Sequence, residues 1–285
     1  MKPPSFDYLA PTTVSEAVQA LAVRHGARLL AGGQSLVPAM NLRLARPDCL
    51  IDINRITGLC QLEVKEGYLR MGARVTHHAV ACSTLVAGVS PVIAKTAAGI
   101  AHDAIRRRGT VCGSLAHADP AAQWPLIAQL FAAQFDLQSV RGQRRVSVDG
   151  FFQGVYQTAI EPDEMLIQVG FQVSQPGERS SVRWFSRRHG DFMIGAVGMR
   201  LSLSSDGRID TLAVVGGGFE PQPSELSMIF MPLRGHRPDR EAFQVLIEQA
   251  AKLEYLADLR ASAYYRRALL QRLLLQCFDD CGRAV

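Results

Sequence analysis

Two short loops of small residues, Ala31-Gly32-Gly33-Gln34-Ser35 and Thr110-Val111-Cys112-Gly113-Ser114, constrain what this chain can fold around more than any other feature. Each follows an apolar or basic stretch and offers several consecutive backbone N–H groups. Neither carries a side chain large enough to hold an anion away from them. Gly32 and Gly33 can take positive φ, and Ser35 adds a hydroxyl that can donate to the same anion. A single Gly-Gly-x-Ser is ambiguous, because tight turns use glycine for steric reasons alone. Two such loops separated by an α+β unit point to a long, phosphate-bearing cofactor.

Composition narrows the class. The chain has 285 residues, of which 48% are hydrophobic, enough for two domains of ordinary size with real cores. Its 31 Lys and Arg against 26 Asp and Glu leave a net charge of +5. The basic residues are scattered apart from the 106–108 and 141–145 clusters, which argues against dedicated nucleic-acid binding. The N-terminal segment lacks the apolar core of a signal peptide, and no run of roughly 18 apolar residues occurs. No membrane span is expected, and a cytoplasmic location is. Cys49, Cys60, Cys82, Cys112, Cys277 and Cys281 form no C-x-x-C pair, the pattern of free thiols in a reducing compartment.

The periodicity divides the chain. Thr13-Val14-Ser15-Glu16 has the spacing of a capping box, apolar residues follow at 14, 17, 18, 21 and 22, and Gly26 supplies a stop. Strands are expected at 27–30 and 49–53, giving a β-α-β lobe at about 1–60. It lacks the G-x-G-x-x-G of a dinucleotide fold. A second lobe, about 61–175, is expected to hold strands at 68–73, 135–140 and 165–173 and helices at 91–101 and 121–131, with the second loop between those helices. After a 174–177 linker, strands at 196–203 and 209–215 flank the hairpin signal Ser204-Ser205-Asp206-Gly207, and helices at 239–256 and 261–278 end the chain.

The first loop and its continuation, LLAGGQSLVPAMNLRLARPDCLIDI, and the later run IRRRGTVCGSLAHADPAAQWP resemble the FAD-binding medium subunit of the molybdenum hydroxylases, the xanthine dehydrogenase and aerobic carbon monoxide dehydrogenase flavoproteins. FFQGVYQTAIEPDEMLIQVGF, FSRRHGDFMIGAVGMRL and YYRRALLQRLLLQ extend the likeness, in the family's order, over about residues 6–276. The resemblance implies an α+β fold. A two-lobed FAD-binding domain of the vanillyl-alcohol-oxidase-like kind at 1–175 precedes a C-terminal domain of a small antiparallel sheet with helices at 180–285.

It also implies roles for particular residues. Ala31 to Leu36 and Thr110 to Ser114 would be the pyrophosphate loops, including Gln34, Ser35, Val111 and Gly113. Arg106 would meet a phosphate or brace the second loop. Asp119 would hold a hydroxyl or merely form a turn. Leu166 would reach the flavin ring edge by its backbone, and Phe192 would cover the ring face. Three positions depart from the family pattern. Cys112 replaces a glycine and is expected to crowd the pyrophosphate, Gln123 stands where an acid is usual, and Trp184 stands where lysine is frequent. His77 and His78, being adjacent, point apart, and no histidine spacing suits a metal.

The function so implied is an FAD-carrying electron-transfer subunit. It would take electrons from the [2Fe-2S] clusters of a small partner subunit and pass them to an external acceptor. A large partner would hold the molybdenum cofactor, the whole being a dimer of heterotrimers. Two alternatives stay open: a scaffold subunit with weak or no FAD binding, motivated by the three departures, and a stand-alone flavoenzyme of the same fold.

Overall fold

The computed structural model describes residues 2–282. The first lobe is built as its sequence dictates. The Thr13 hydroxyl accepts from the Glu16 N–H at 3.1 Å, and the Glu16 carboxylate accepts from the Thr12 and Thr13 amides at 2.8 and 3.3 Å, so the Val14–Val23 helix starts with a complete capping box. Ala17, Val18 and Leu21 of that helix are buried. Gly26, at φ +82°, turns the chain into strand Ala27–Leu30. That strand pairs in parallel with Cys49–Asp52, which pairs in parallel with Asp7–Leu9. The first glycine loop leaves the C-terminal end of the edge strand 27–30 and enters a short helix, Leu36–Asn41.

The second lobe is a five-stranded antiparallel sheet in the spatial order Leu62–Lys65, Tyr68–Gly72, Met165–Gln172, Gln134–Ser139, Gly142–Ser147. Its central strand arrives last in sequence and closes the lobe. Phe135 alternates inward from strand 134–139, and its ring stacks on that of Phe151 with centroids 3.6 Å apart. One hydrophobic cluster runs through both lobes and reaches Val182 and Ala196 beyond them.

The third unit is a four-stranded antiparallel sheet, Arg179–Phe185, Gly195–Leu203, Ile209–Gly217 and Ser224–Glu225, with its own cluster shared with helices Arg240–Ala250 and Ala263–Gly282. Helix Gln123–Leu130 packs across from the second lobe onto this sheet. Gly198 makes the approach possible, since a Cβ there would lie 2.7 Å from Leu130.

Several elements differ from the sequence reading, among them the second small-residue segment at the expected cofactor site and, away from it, the penultimate helix. The second small-residue segment is the first turns of a helix, Val111–His117, whose cap is the Thr110 hydroxyl accepting from Gly113 N–H at 3.0 Å. It has too few residues for apolar periodicity to mark it. The penultimate helix is shorter than expected, 240–250 rather than 239–256.

Arg266 ties the last helix to the third sheet from a site 3% exposed. Its guanidinium donates to the carbonyls of Ile194 and Gly218 and, at 2.8 Å, to the Asp258 carboxylate. Arg266→Met leaves two buried carbonyls without donors and is expected to cost about 3 kcal/mol. Urea unfolding of the full chain measures it, and a loss below about 1 kcal/mol would show that water replaces the guanidinium.

Candidate cofactor site

The two loops meet through backbone contacts that tolerate only glycine. A β-bridge joins Thr76 to Thr110, with Val111 N–H donating to Val75 O at 3.0 Å and His77 N–H to Gly109 O at 2.9 Å. This clamps the start of the second loop onto the segment that leaves the central sheet. From the other side comes Gly32, where a Cβ would lie 2.0 Å from the Arg108 carbonyl oxygen and 2.8 Å from Gly109 Cα. The first loop is held in that position by Asn54, whose side-chain amide donates to Ala31 O at 2.9 Å and to Asp52 at 2.6 Å. Gln34 donates to Gly32 O at 3.1 Å, and Gly33 takes φ +70°. Among the described residues the amide N–H groups of Gly32, Gly33, Gln34 and Ser35 have no protein partner.

Both loops line one cavity of about 910 Å³, near the top of the range of roughly 300–1,000 Å³ for small-ligand sites. Ala31, Gly32, Gly33, Gln34, Ser35 and Leu36 are on one wall, and Thr110, Cys112, Gly113 and Ser114 on the other. Gln123, Leu166 and Phe192 complete the set that the structure brings together. Gln123 is buried, and its side-chain amide makes no hydrogen bond among the described residues. It is a polar group left open to the cavity. Leu166 sits where the pairing of strand 165–172 shifts register, an irregularity that re-aims its backbone. Phe192 is half-exposed at the mouth, its carbonyl accepting from Arg260 at 2.6 Å.

Three of the candidate residues stand elsewhere. Val111 is fully buried and serves the bridge to Val75. Arg106 does not line the cavity and donates to the carbonyls of Ile100 and Ala101, both at 2.9 Å, bracing a turn in which Ala101 has φ +45°. Asp119 lies outside the cavity lining and accepts from Ala121 N–H at 2.8 Å, the turn contact that was one of its two expected roles.

The departures from the family pattern have physical explanations. Cys112 reaches the cavity wall, but its side chain is buried, with Sγ 3.6 Å from Met71 O on the core side. The expected crowding does not arise, because a helix at this point turns the side chain inward. Burial alone pushes its thiol well above the ordinary range. Trp184 lies outside the cavity and packs on Gly99, where a Cβ would be 2.5 Å from the indole.

Of the described carboxylates that line the cavity, Glu161 and Glu164 are paired with arginines and Asp191 is not. Glu164 is held by Arg144 at 2.7 Å and Glu161 by Arg141 at 2.6 Å. The hydrogen bond from Arg144 keeps Glu164 below the usual carboxylate range. His117 is lowered by burial, and its ring lies 4.9 Å from that of Tyr156. Tyr156 itself takes φ +56°, a conformation that costs a non-glycine residue on the order of 1 kcal/mol.

Residues 4–171 match the model of the FAD binding domain in molybdopterin dehydrogenase, and residues 180–281 that of the CO dehydrogenase flavoprotein C-terminal domain. The chain belongs to the FAD-binding medium subunits of the molybdenum hydroxylases. It is 35% identical to the nicotine 6-hydroxylase medium subunit of Paenarthrobacter nicotinovorans over 99% of both chains. With the carbon monoxide dehydrogenase medium chain of Hydrogenophaga pseudoflava the identity is 32% over 98% of both. Among solved structures, carbon monoxide dehydrogenase from H. pseudoflava superposes with a TM-score of 0.94 at 31% identity, and quinoline 2-oxidoreductase from Pseudomonas putida 86 with 0.94 at 32%, each covering 99% of both chains. The residues of this medium subunit fit FAD: unpaired amides for a pyrophosphate, an open amide at Gln123 and an aromatic ring at the mouth.

Composition and spacing assigned no binding role to several residues of this medium subunit's cavity. His77, Trp124, His102 and Gly190 are examples. His102 carries the 186–194 turn, since a Cβ on Gly190 would lie 2.7 Å from its ring. The signal for Gly190 was its place two residues before Phe192. For His77 there was none, because its meaning depends on Trp124, 47 positions away.

Gly32→Ala is expected to separate the two loops and abolish measurable FAD uptake while circular dichroism stays native. Retained uptake would show that the contact is dispensable. Cys112→Gly removes a buried thiol from a helix and is expected to cost about 2 kcal/mol with FAD affinity unchanged; a gain in affinity would show that Cys112 does crowd the site. His77 is lowered by burial, and secondarily by Arg106, to about 4. Unfolded, it titrates near 6.5. Stability is therefore fully present above about pH 6.5 and declines by about 3 kcal/mol as pH falls toward 4. In His77→Gln that part of the slope disappears from denaturant melts taken across this window; an unchanged slope would place the loss in other groups.

Proposed function

We propose that this chain is the electron-transferring flavoprotein of a molybdenum hydroxylase complex. In that complex a small partner subunit carries [2Fe-2S] clusters and a large one the molybdenum cofactor, assembled as a dimer of heterotrimers. The single observation that carries the reading is the convergence of two glycine loops, with four unpaired amides on the first, on one cavity of about 910 Å³. Relatives named as medium chains or subunits of dehydrogenase complexes, at high coverage of both chains, support the shared assembly.

When bound, FAD supplies the step between one-electron carriers and an external acceptor, and the chain's own contribution is binding, orientation and tuning. The unpaired Gly32–Ser35 amides neutralise the pyrophosphate without bringing mobile charges, and the Ser114 hydroxyl on the cavity wall can add a donor. Gln123 offers one donor and one acceptor from a buried position. Leu166 and Phe192 exclude water from the ring environment, with Phe192 held in place by Arg260. The cysteines of this chain are divided between buried core positions and the exposed Cys60 and Cys82, so the clusters are assigned to the partner. No described helix is long and apolar enough to cross a membrane, and we place the complex in the cytoplasm. The scaffold reading drew on Cys112, Gln123 and Trp184. The buried Cys112 thiol, the open Gln123 amide and the packing of Trp184 on Gly99 give it no support.

The visible spectrum of the purified chain tests the reading, with the released cofactor identified after denaturation. Stoichiometric FAD, reducible by substrate only when the large and small partners are added, is the expected outcome. A folded chain that stays colourless after incubation with FAD would overturn it, and a yellow chain that oxidises a substrate alone would establish the stand-alone enzyme instead.

A further inference from the structure

We propose that His77 is an additional ligand-binding residue of this site, its Nε2–H donating a hydrogen bond to an acceptor atom of the FAD held against the second loop. The proposal rests on the flavin reading above and goes beyond the loops that carry it.

The proton's position follows from Trp124. An indole N–H can only donate, and Trp124 Nε1 lies 3.0 Å from His77 Nδ1. Nδ1 must therefore be the acceptor, which leaves the imidazole proton on Nε2. The two rings lie within 25° of coplanar with centroids 5.9 Å apart, edge to edge along that bond, so the imidazole is fixed in rotation as well as in tautomer. Its backbone is fixed too, through the His77 N–H bond to Gly109 O at 2.9 Å.

The rest of the ring faces the cavity. His77 is 6% exposed and lies on the cavity wall. Nε2 has no hydrogen-bond partner among the described residues, yet it is not sealed among apolar atoms. It sits beside the place where Gly109 lacks a side chain: a Cβ there would be 2.9 Å from both Nε2 and Cδ2. Gly109 immediately precedes the second loop. A buried donor that is oriented by a second side chain and left without an acceptor is costly unless something fills its site. Arg106, the charged group that acts on the imidazole, and burial both keep it uncharged at neutral pH. The donor is thus neutral, complementing the uncharged amides rather than adding a cation.

The test uses the full chain stripped of flavin, with FAD and ADP as separate probes. Wild type, His77→Leu, His77→Gln and Trp124→Phe are titrated by fluorescence quenching, and the side-chain Nε2–H resonance of His77 is followed by ¹H–¹⁵N correlation. His77→Leu is expected to weaken FAD by about tenfold. The glutamine variant, which keeps a donor near the Nε2 position, retains most of the affinity. Trp124→Phe, which frees the tautomer, falls between the two, and the wild-type Nε2–H resonance shifts on adding FAD. Weakening toward ADP as well places the acceptor on the pyrophosphate half; weakening toward FAD alone places it on the flavin half. Equal FAD affinity in wild type and His77→Leu overturns the proposal, as does an Nε2–H resonance that FAD leaves unmoved. If His77→Leu fails to fold, Trp124→Phe decides, and unchanged affinity there is a refutation. Wild type that binds neither probe refutes the flavin reading itself, a result separable from all of these.

Discussion

The site depends on one backbone contact, Gly32 against the carbonyl of Arg108. The two loops are tied to different sheets, the first following strand 27–30 and the second bridged at Thr110 to Thr76, just beyond strand 68–72. Neither sheet supplies a complete anion cradle alone. A Cβ at 32 would sit 2.0 Å from the Arg108 oxygen, deep inside any van der Waals limit, so the lobes reach this separation only because the residue is glycine. Once they do, the other contacts follow as consequences. Gly109 presses under His77, His77 is held by Trp124, and Trp124 lies on the helix that also presents Gln123. The chain of contacts runs from the first lobe through the second to the helix that packs on the third sheet.

Much of this was legible in the sequence because the strongest signals are local. The Thr13–Glu16 capping box, the stop at Gly26 and the hairpin at 204–207 are each set by neighbours within a few residues, and each forms where its pattern lies. The glycine loops were visible as composition, but their purpose was not fully readable. Gly32 is required by close packing as much as by an open path to an anion, and no local pattern tells those apart. The helix at 111–117 was hidden for a related reason. Its stability comes from Thr110 as cap and from the bridge to Thr76, 34 positions away, and not from any stripe of apolar residues.

The same dependence on distant partners explains why the departures from the family pattern misled. A cysteine in a glycine loop reads as an obstruction when the backbone is taken for an extended turn. On a helix the same residue points at the sheet, where a thiol fills core volume and finds the Met71 carbonyl. Trp184 reads as a missing cation until Gly99 is seen beneath it. Arg106 reads as either a phosphate ligand or a brace, and its bonds to the carbonyls of Ile100 and Ala101 are of the bracing kind. Cys112 takes its place from a contact 41 positions away and Trp184 from one across units, separations that a linear pattern does not record, whereas Arg106 bonds carbonyls only five and six positions back.

The third sheet is also part of the site. Its 186–194 turn rests on His102 through Gly190, is anchored by Met193 N–H to Ala121 O at 3.2 Å, and is tied by Arg260 to the Phe192 carbonyl. All three anchors lie at the base of the turn or on its backbone, and the Phe192 ring itself stays half-exposed. A ring so placed keeps rotamer freedom while its Cα is fixed. It can shield one end of the cavity from water or yield to an entering molecule without disturbing the sheet. The two lobes therefore supply the backbone donors of the cavity, and the C-terminal unit supplies a half-exposed ring at its mouth. This division accounts for the cavity being bounded by residues as far apart in sequence as Gly32 and Phe192.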